Sequence, residues 1–94
     1  MNTLATQIIE AIGPDVLEQV GATDIKDYDD IDTPGVQFDI EVNARNYRAL
    51  ITLQPTGAFK VYVYDPRTME TKRDEPDVDL GHLAEAINTL EVTL

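Results

Sequence analysis

The sequence predicts an α+β fold: an N-terminal helical segment, a three- to four-stranded antiparallel β-meander and a C-terminal helix, with the helices on one face of the sheet. Three observations predict it. Val36 to Tyr64 reads as three consecutive strands whose apolar positions agree in register. Leu4, Ile8 and Ile12 at one end, and Leu80, Leu83, Ile87 and Leu90 at the other, recur at helical spacing. A three-stranded sheet cannot bury its apolar side alone, so these two segments are its available cover. At 94 residues the chain is a single domain, residues 1–94.

Asn2 or Thr3 can cap the first helix, and Gly13-Pro14 interrupts it. Pro14 suits the first turn of a second short helix, in which Val16, Leu17 and Val20 point inward and Gly21 ends the run. Ala22 to Gly35 is densely acidic, with Asp24, Asp27, Asp29, Asp30 and Asp32 against Lys26 alone. Ile25, Tyr28 and Ile31 are expected to tack this stretch down as a short edge strand.

Val36 to Val42 alternates apolar and polar without a break, and Tyr47 to Gln54 and Ala58 to Tyr64 follow. A four-residue loop, Asn43 to Asn46, places Ile40 opposite Ala49 and Phe38 opposite Ile51. A three-residue loop, Pro55-Thr56-Gly57, places Leu53 opposite Phe59, Ile51 opposite Val61 and Ala49 opposite Val63. One face is then apolar on all three strands, and a slip by one residue would invert it. On the other face this register sets Glu41 against Arg48, and groups Leu50, Tyr62 and Tyr64 beside Asp39 and Glu41. Asp65-Pro66-Arg67-Thr68 reads as a turn, Thr68 to Lys72 as a short further strand, and Pro76-Asp77-Val78-Asp79 as the start of the last helix.

The charge is the informative part of the composition: −11 at pH 7, from 18 acidic residues against 7 basic ones. Nucleic-acid binding requires phosphates to be neutralised, so direct contact with nucleic acid is opposed, as is contact with an anionic membrane. A basic protein surface would be steered in. Solubility and adaptation to high salt are the plainer readings of the same number. There is no cysteine, which removes disulfides, thiolate metal sites and thiol nucleophiles. No apolar run approaches a membrane span, and the Met1–Ala5 start lacks the basic region of a signal peptide, so a cytoplasmic protein is expected.

Candidate chemistry is thin. Asp30 to Gly35 followed by Glu41 reproduces part of a calcium-loop spacing. Pro34 occupies a ligand position in it and a strand follows where a helix should, so no metal or cofactor is expected. His82 is the only histidine and has no ligand set or nucleophile around it. Asp39 and Glu41 stand ~6.5–7 Å apart on one strand face, a separation hydrolases use, but an exposed sheet does not exclude water. A non-enzymatic protein is expected. Its candidate partner-binding residues are Asp39, Glu41, Leu50, Tyr62 and Tyr64 on the second sheet face, with Asp27, Asp29 and Asp30 in the acidic stretch.

This acidic helix–meander–helix pattern, with Asp24 to Asp32, Asp39, Glu41 and Asp74 to Asp79 displayed around it, resembles small phage-encoded inhibitors of nucleic-acid enzymes, of the anti-restriction and anti-CRISPR kind. The likeness covers the whole chain in size, charge and architecture and includes no shared motif. It implies a nucleic-acid mimic whose partner is a nucleic-acid-binding enzyme, acting in a host cytoplasm as a monomer or homodimer. The rival expectations are a small viral structural or assembly protein that uses its edge strands or its tyrosines for self-contacts, and a halophile domain of ordinary binding function whose acidity concerns solvent rather than a partner.

Overall fold

The structure, a computed structural model, describes residues 1–94. Its first helix, α1 (Thr3–Ile12), starts where Asn2 Oδ1 accepts the Ala5 N–H at 2.8 Å, satisfying one of the free donors of the first turn. Ala5, Ile8 and Ile12 form its buried stripe. Gly13, at φ 88°, breaks the helix, and Pro14 opens α2 (Pro14–Gln19) from the first position, where its missing N–H costs nothing. Leu17 and Val20 are buried, as their spacing predicts.

Five strands follow in one antiparallel sheet, each hydrogen-bonded to the next in chain order: β1 (Thr23–Tyr28), β2 (Gly35–Val42), β3 (Arg45–Leu53), β4 (Phe59–Tyr64) and β5 (Thr71–Val78). The fold class is as the sequence predicts, with one or two strands more than expected. The inward residues of β2, β3 and β4 are buried under the helices: Val36, Phe38, Ile40, Tyr47, Ala49, Ile51, Phe59, Val61 and Val63. They join Ile8, Ile12, Val20, Leu83, Ile87 and Leu90 in one continuous core.

The β3–β4 register agrees with the sequence reading: Leu53 faces Phe59, Ile51 faces Val61 and Ala49 faces Val63. The β2–β3 register does not. The chain turns in two residues, Asn43 and Ala44, both in the left-handed region at φ 53° and 63°. These are the backbone angles of the two-residue hairpin turn whose twist matches that of the strands. The pairing therefore moves by two residues: Ile40 faces Tyr47, Phe38 faces Ala49 and Val36 faces Ile51. A shift of two keeps every side chain on its expected face and changes only its neighbour. The cross-strand partner of Arg48 becomes Asp39, and Glu41 faces Asn46 instead.

Gly35 is required where β2 meets β3. A Cβ there would stand 1.9 Å from the Ile51 carbonyl oxygen and 2.8 Å from the Thr52 Cα, so only glycine admits this approach.

The C-terminal part departs most from expectation. The strand predicted near Thr68–Lys72 runs instead from Thr71 to Val78, through the residues expected to start the helix. Pro76 fits because β5 is an edge strand, where a missing donor breaks no internal ladder. Helical structure begins only with a 3₁₀ turn (Leu80–His82) and continues as two short helices, α3 (Leu83–Asn88) and α4 (Leu90–Thr93). Arg73 holds this cap to the sheet, donating to the Ala86 carbonyl at 3.3 Å, Thr89 Oγ1 at 3.2 Å and Thr93 Oγ1 at 2.6 Å. Ile31, expected to anchor the acidic stretch, is 98% exposed, because β1 ends at Tyr28 and the loop beyond it has no core beneath.

Candidate functional site

The helices lie on one side of the sheet, so its other side is open. Alternation along the strands decides what stands there. Reading across the sheet, the register sets Lys26, Gln37, Leu50, Tyr62 and Asp74 in one row. Beside it run Thr23, Asp39, Arg48, Tyr64 and Thr71, and Glu41 lies at the rim opposite Asn46. Leu50, Tyr62 and Tyr64 are half-buried by their own neighbours, forming the patch the sequence predicts.

The patch is fixed by lateral contacts. The Tyr62 and Tyr64 rings lie with centroids 5.8 Å apart, tilted by 42°, within the range of a favourable aromatic pair. The Tyr62 hydroxyl is 2.8 Å from Thr71 Oγ1. Lys60 Nζ stands 5.7 Å above the Tyr62 ring and 3.1 Å from Asp74 Oδ1. The Arg48 Nε–H donates to Asp39 Oδ1 at 3.0 Å. That bond, and after it the Tyr64 phenol, holds the Arg48 guanidinium above its ordinary pKa against the opposing effect of desolvation. Asp39 is thus compensated inside the molecule.

On this face Arg48 is paired with Asp39, Lys60 with Asp74 and Lys26 with Asp24, while Glu41 has no basic partner. Most of the net charge of −11 therefore lies off the open face. Six of the seven cations are already paired within the chain, Arg67 with Asp65, Lys72 with Glu70 and Arg73 with Glu75 among them. The carboxylates with no basic partner concentrate on the helices (Glu10, Asp15, Glu18, Glu85, Glu91) and in the loop after β1.

The three acidic residues singled out before β2 belong to this second surface and do not join the tyrosines. Asp27 lies opposite buried Val36, hence on the helix side, where its carboxylate accepts the Asn2 N–H at 3.2 and 3.3 Å beside the α1 N-terminus. Asp30 Oδ1 accepts the N–H groups of Asp32 and Thr33 at 2.9 and 3.1 Å, folding the loop on itself. Asp29 is exposed between them.

One feature escaped the sequence. Glu75, Asp77, Asp79 and Glu85 line an open groove of about 360 Å³ between the end of β5 and α3, with Val78, His82, Ala86 and Thr89. His82 is 68% exposed and stands 3.6 Å from Asp79. The groove exists only because β5 continues to Val78, which brings Glu75 and Asp77 beside Glu85. Nothing in the local sequence pattern announces that continuation.

No helix is long and apolar enough to cross a membrane. No protein-family model matches the chain, and neither a curated protein nor a solved structure was found to be similar to it.

Proposed function

We propose that this chain is a non-enzymatic protein-binding module that engages a basic protein surface through its helix-side and loop carboxylates. The observation carrying this reading is the separation of charge. Six cations are paired internally, and the carboxylates left without a basic partner lie mainly on the helices, in the β1–β2 loop and around the β5–α3 groove. A surface of one sign attracts its partner over a distance of order the Debye length, ~8 Å at physiological salt, and raises the rate of encounter. An acid-lined groove with room for a side chain suits a lysine or arginine from that partner.

In the narrower form of this reading the chain is an inhibitor that occupies a nucleic-acid-binding cleft by imitating phosphate charge. That form agrees with the resemblance to phage-encoded inhibitors and gives the partner a chemistry: a basic, nucleic-acid-binding enzyme. The test is capture of a partner by the immobilised chain, with duplex DNA as competitor and a variant carrying Asp15→Asn, Glu18→Gln, Asp29→Asn, Asp30→Asn and Asp32→Asn alongside. The expected result is a basic partner that DNA displaces and the neutralised variant does not retain. Capture that DNA leaves intact rules out phosphate imitation, and equal capture by the variant rules out the acidic surface altogether.

A further inference from the structure

The two edges of the sheet differ in what they leave open. At β5 the backbone is blunted: Pro76 has no N–H, and the Asp77 N–H is taken by Gln54 Oε1 at 2.8 Å. β1, the other edge, carries no proline. The pairing of β2 decides which of its groups are free. The Leu53 N–H donates to the Pro34 carbonyl at 2.8 Å on the β3 side, and the Glu41 N–H to the Val20 carbonyl at 2.9 Å on the other. Even-numbered residues of β2 therefore turn their backbone groups to β3, and odd-numbered ones to β1. Gln37 and Gly35 accordingly bond Lys26 and Tyr28, which lie opposite them. Asp27 lies opposite Val36, whose groups face β3, so its own N–H and C=O point out of the sheet. No loop, cap or side chain reaches either group; the Asp27 contacts with Asn2 are made by its carboxylate.

We propose that a basic, extended segment of the partner adds to this edge as a sixth strand, antiparallel to β1, with the Asp27 N–H and C=O opening the new ladder. The basic character of the segment rests on the reading of the acidic surface above; the open edge does not. Charge selects the occupant. Residues 23–33 hold five aspartates and one lysine, and that lysine, Lys26, is 3.6 Å from Asp24. Asp29, Asp30 and Asp32 follow β1 directly and have no basic partner. A second copy of this edge would set aspartate against aspartate. Alternation then fixes a pattern for the segment. Its residue opposite Asp27 shares the helix-side face and is basic, while those opposite Lys26 and Tyr28 lie on the open face, where β-branched residues fit. Its N-terminal end passes Asp29 and Asp30 and is basic as well.

The experiment is titration of the full chain, followed through its backbone amide NMR signals, with the peptide Lys-Lys-Val-Arg-Thr-Val. The signals of Thr23 to Tyr28 should move most, and hydrogen exchange of the Asp27 amide should slow about tenfold. The same peptide N-methylated at its arginine keeps its charge but cannot complete the ladder, and should bind about tenfold more weakly. Asp27→Pro removes the outward donor and spares the β1–β2 ladder, so it should abolish binding. Asp27→Ala keeps the donor and should weaken binding only about threefold. Shifts centred elsewhere, equal binding of the N-methylated peptide, or equal loss in the two variants overturns strand addition and leaves capture by the acidic surface standing. Equal binding of a peptide with glutamine at its three basic positions overturns the basic occupant, and the acidic-surface reading with it.

Discussion

The two sides of the sheet are built from alternate residues of the same strands, yet they differ in what they can lose. Inward residues of β2, β3 and β4 are buried to the last few per cent beneath the helices, and their packing is the stability of the domain. Outward residues keep part of their surface in water and hold one another by ion pairs, an aromatic pair and a hydroxyl contact. Contacts of that kind contribute little to folding and remain free to be exchanged for contacts with another molecule. The helix layer combines both roles differently: apolar stripe inward, uncompensated carboxylates outward. Stability is therefore concentrated in one layer, and the two outer surfaces differ in charge: on one most charges are paired within the chain, on the other carboxylates stand uncompensated.

The strongest way to break this division is to disturb the backbone both sides share. Gly35→Ala drives a Cβ into the Ile51 carbonyl, and backbone cannot yield as a side chain can. A loss above about 3 kcal/mol is expected, seen as a large fall in the urea midpoint or as failure to fold.

The difference between sides is sharpened by truncating one aromatic on each. Phe38→Ala, at 0% exposure, should cost about 3–5 kcal/mol. Tyr62→Ala should cost only about 0.5–1.5 kcal/mol, the worth of its ring contact. Equal losses in denaturant titrations would show that the outer face stabilises the fold as much as the core does.

A smaller change tests the turn that decides which outer residues meet. Ala44 stands in the left-handed region, which costs a residue bearing a Cβ about 1–2 kcal/mol. Ala44→Gly should therefore raise stability by about 1 kcal/mol while leaving the Asp39–Arg48 pair in place. That gain is readable as a shift in melting temperature.

The smallest effect expected is on acid stability. The Arg67 side chain, then its backbone N–H, hold the Asp65 carboxyl below its ordinary pKa, with desolvation opposing. A depressed folded-state pKa contributes stability above the unfolded value, near about 3.9, and loses it as pH falls through the folded value. Asp65→Asn removes that contribution, so the variant should lose less stability than the parent between about pH 5 and pH 2. Parallel acid limbs for the two proteins would contradict the assignment.

How much of this was legible in the sequence follows from how each element is stabilised. β2, β3 and β4 have one face buried, and burial writes a period of two into the chain, so the strands and the Leu50, Tyr62 and Tyr64 patch can be read directly. β5 is an edge strand with little buried surface: its run Thr71–Val78 mixes charges, and Pro76-Asp77 imitates a helix start. With β5 hidden, the groove between Asp77 and Glu85 was hidden too. The partner of Arg48 depended on two residues of loop length. Asn43-Ala44 concealed the short turn because alanine is a poor left-handed residue and the domain tolerates the strain. Total charge was plain from composition, but its separation from the tyrosine face required knowing which carboxylates are consumed by Arg48, Lys60 and the other cations.

That separation is the central claim, and relaxation of side-chain protons by small nitroxides of opposite charge tests it most directly. A cationic probe should be strongly enriched over an anionic one at Asp15, Glu18 and Asp29 to Asp32, and the two should act nearly equally at Leu50 and Tyr62. Strong enrichment of the cationic probe at Leu50 and Tyr62 would contradict it.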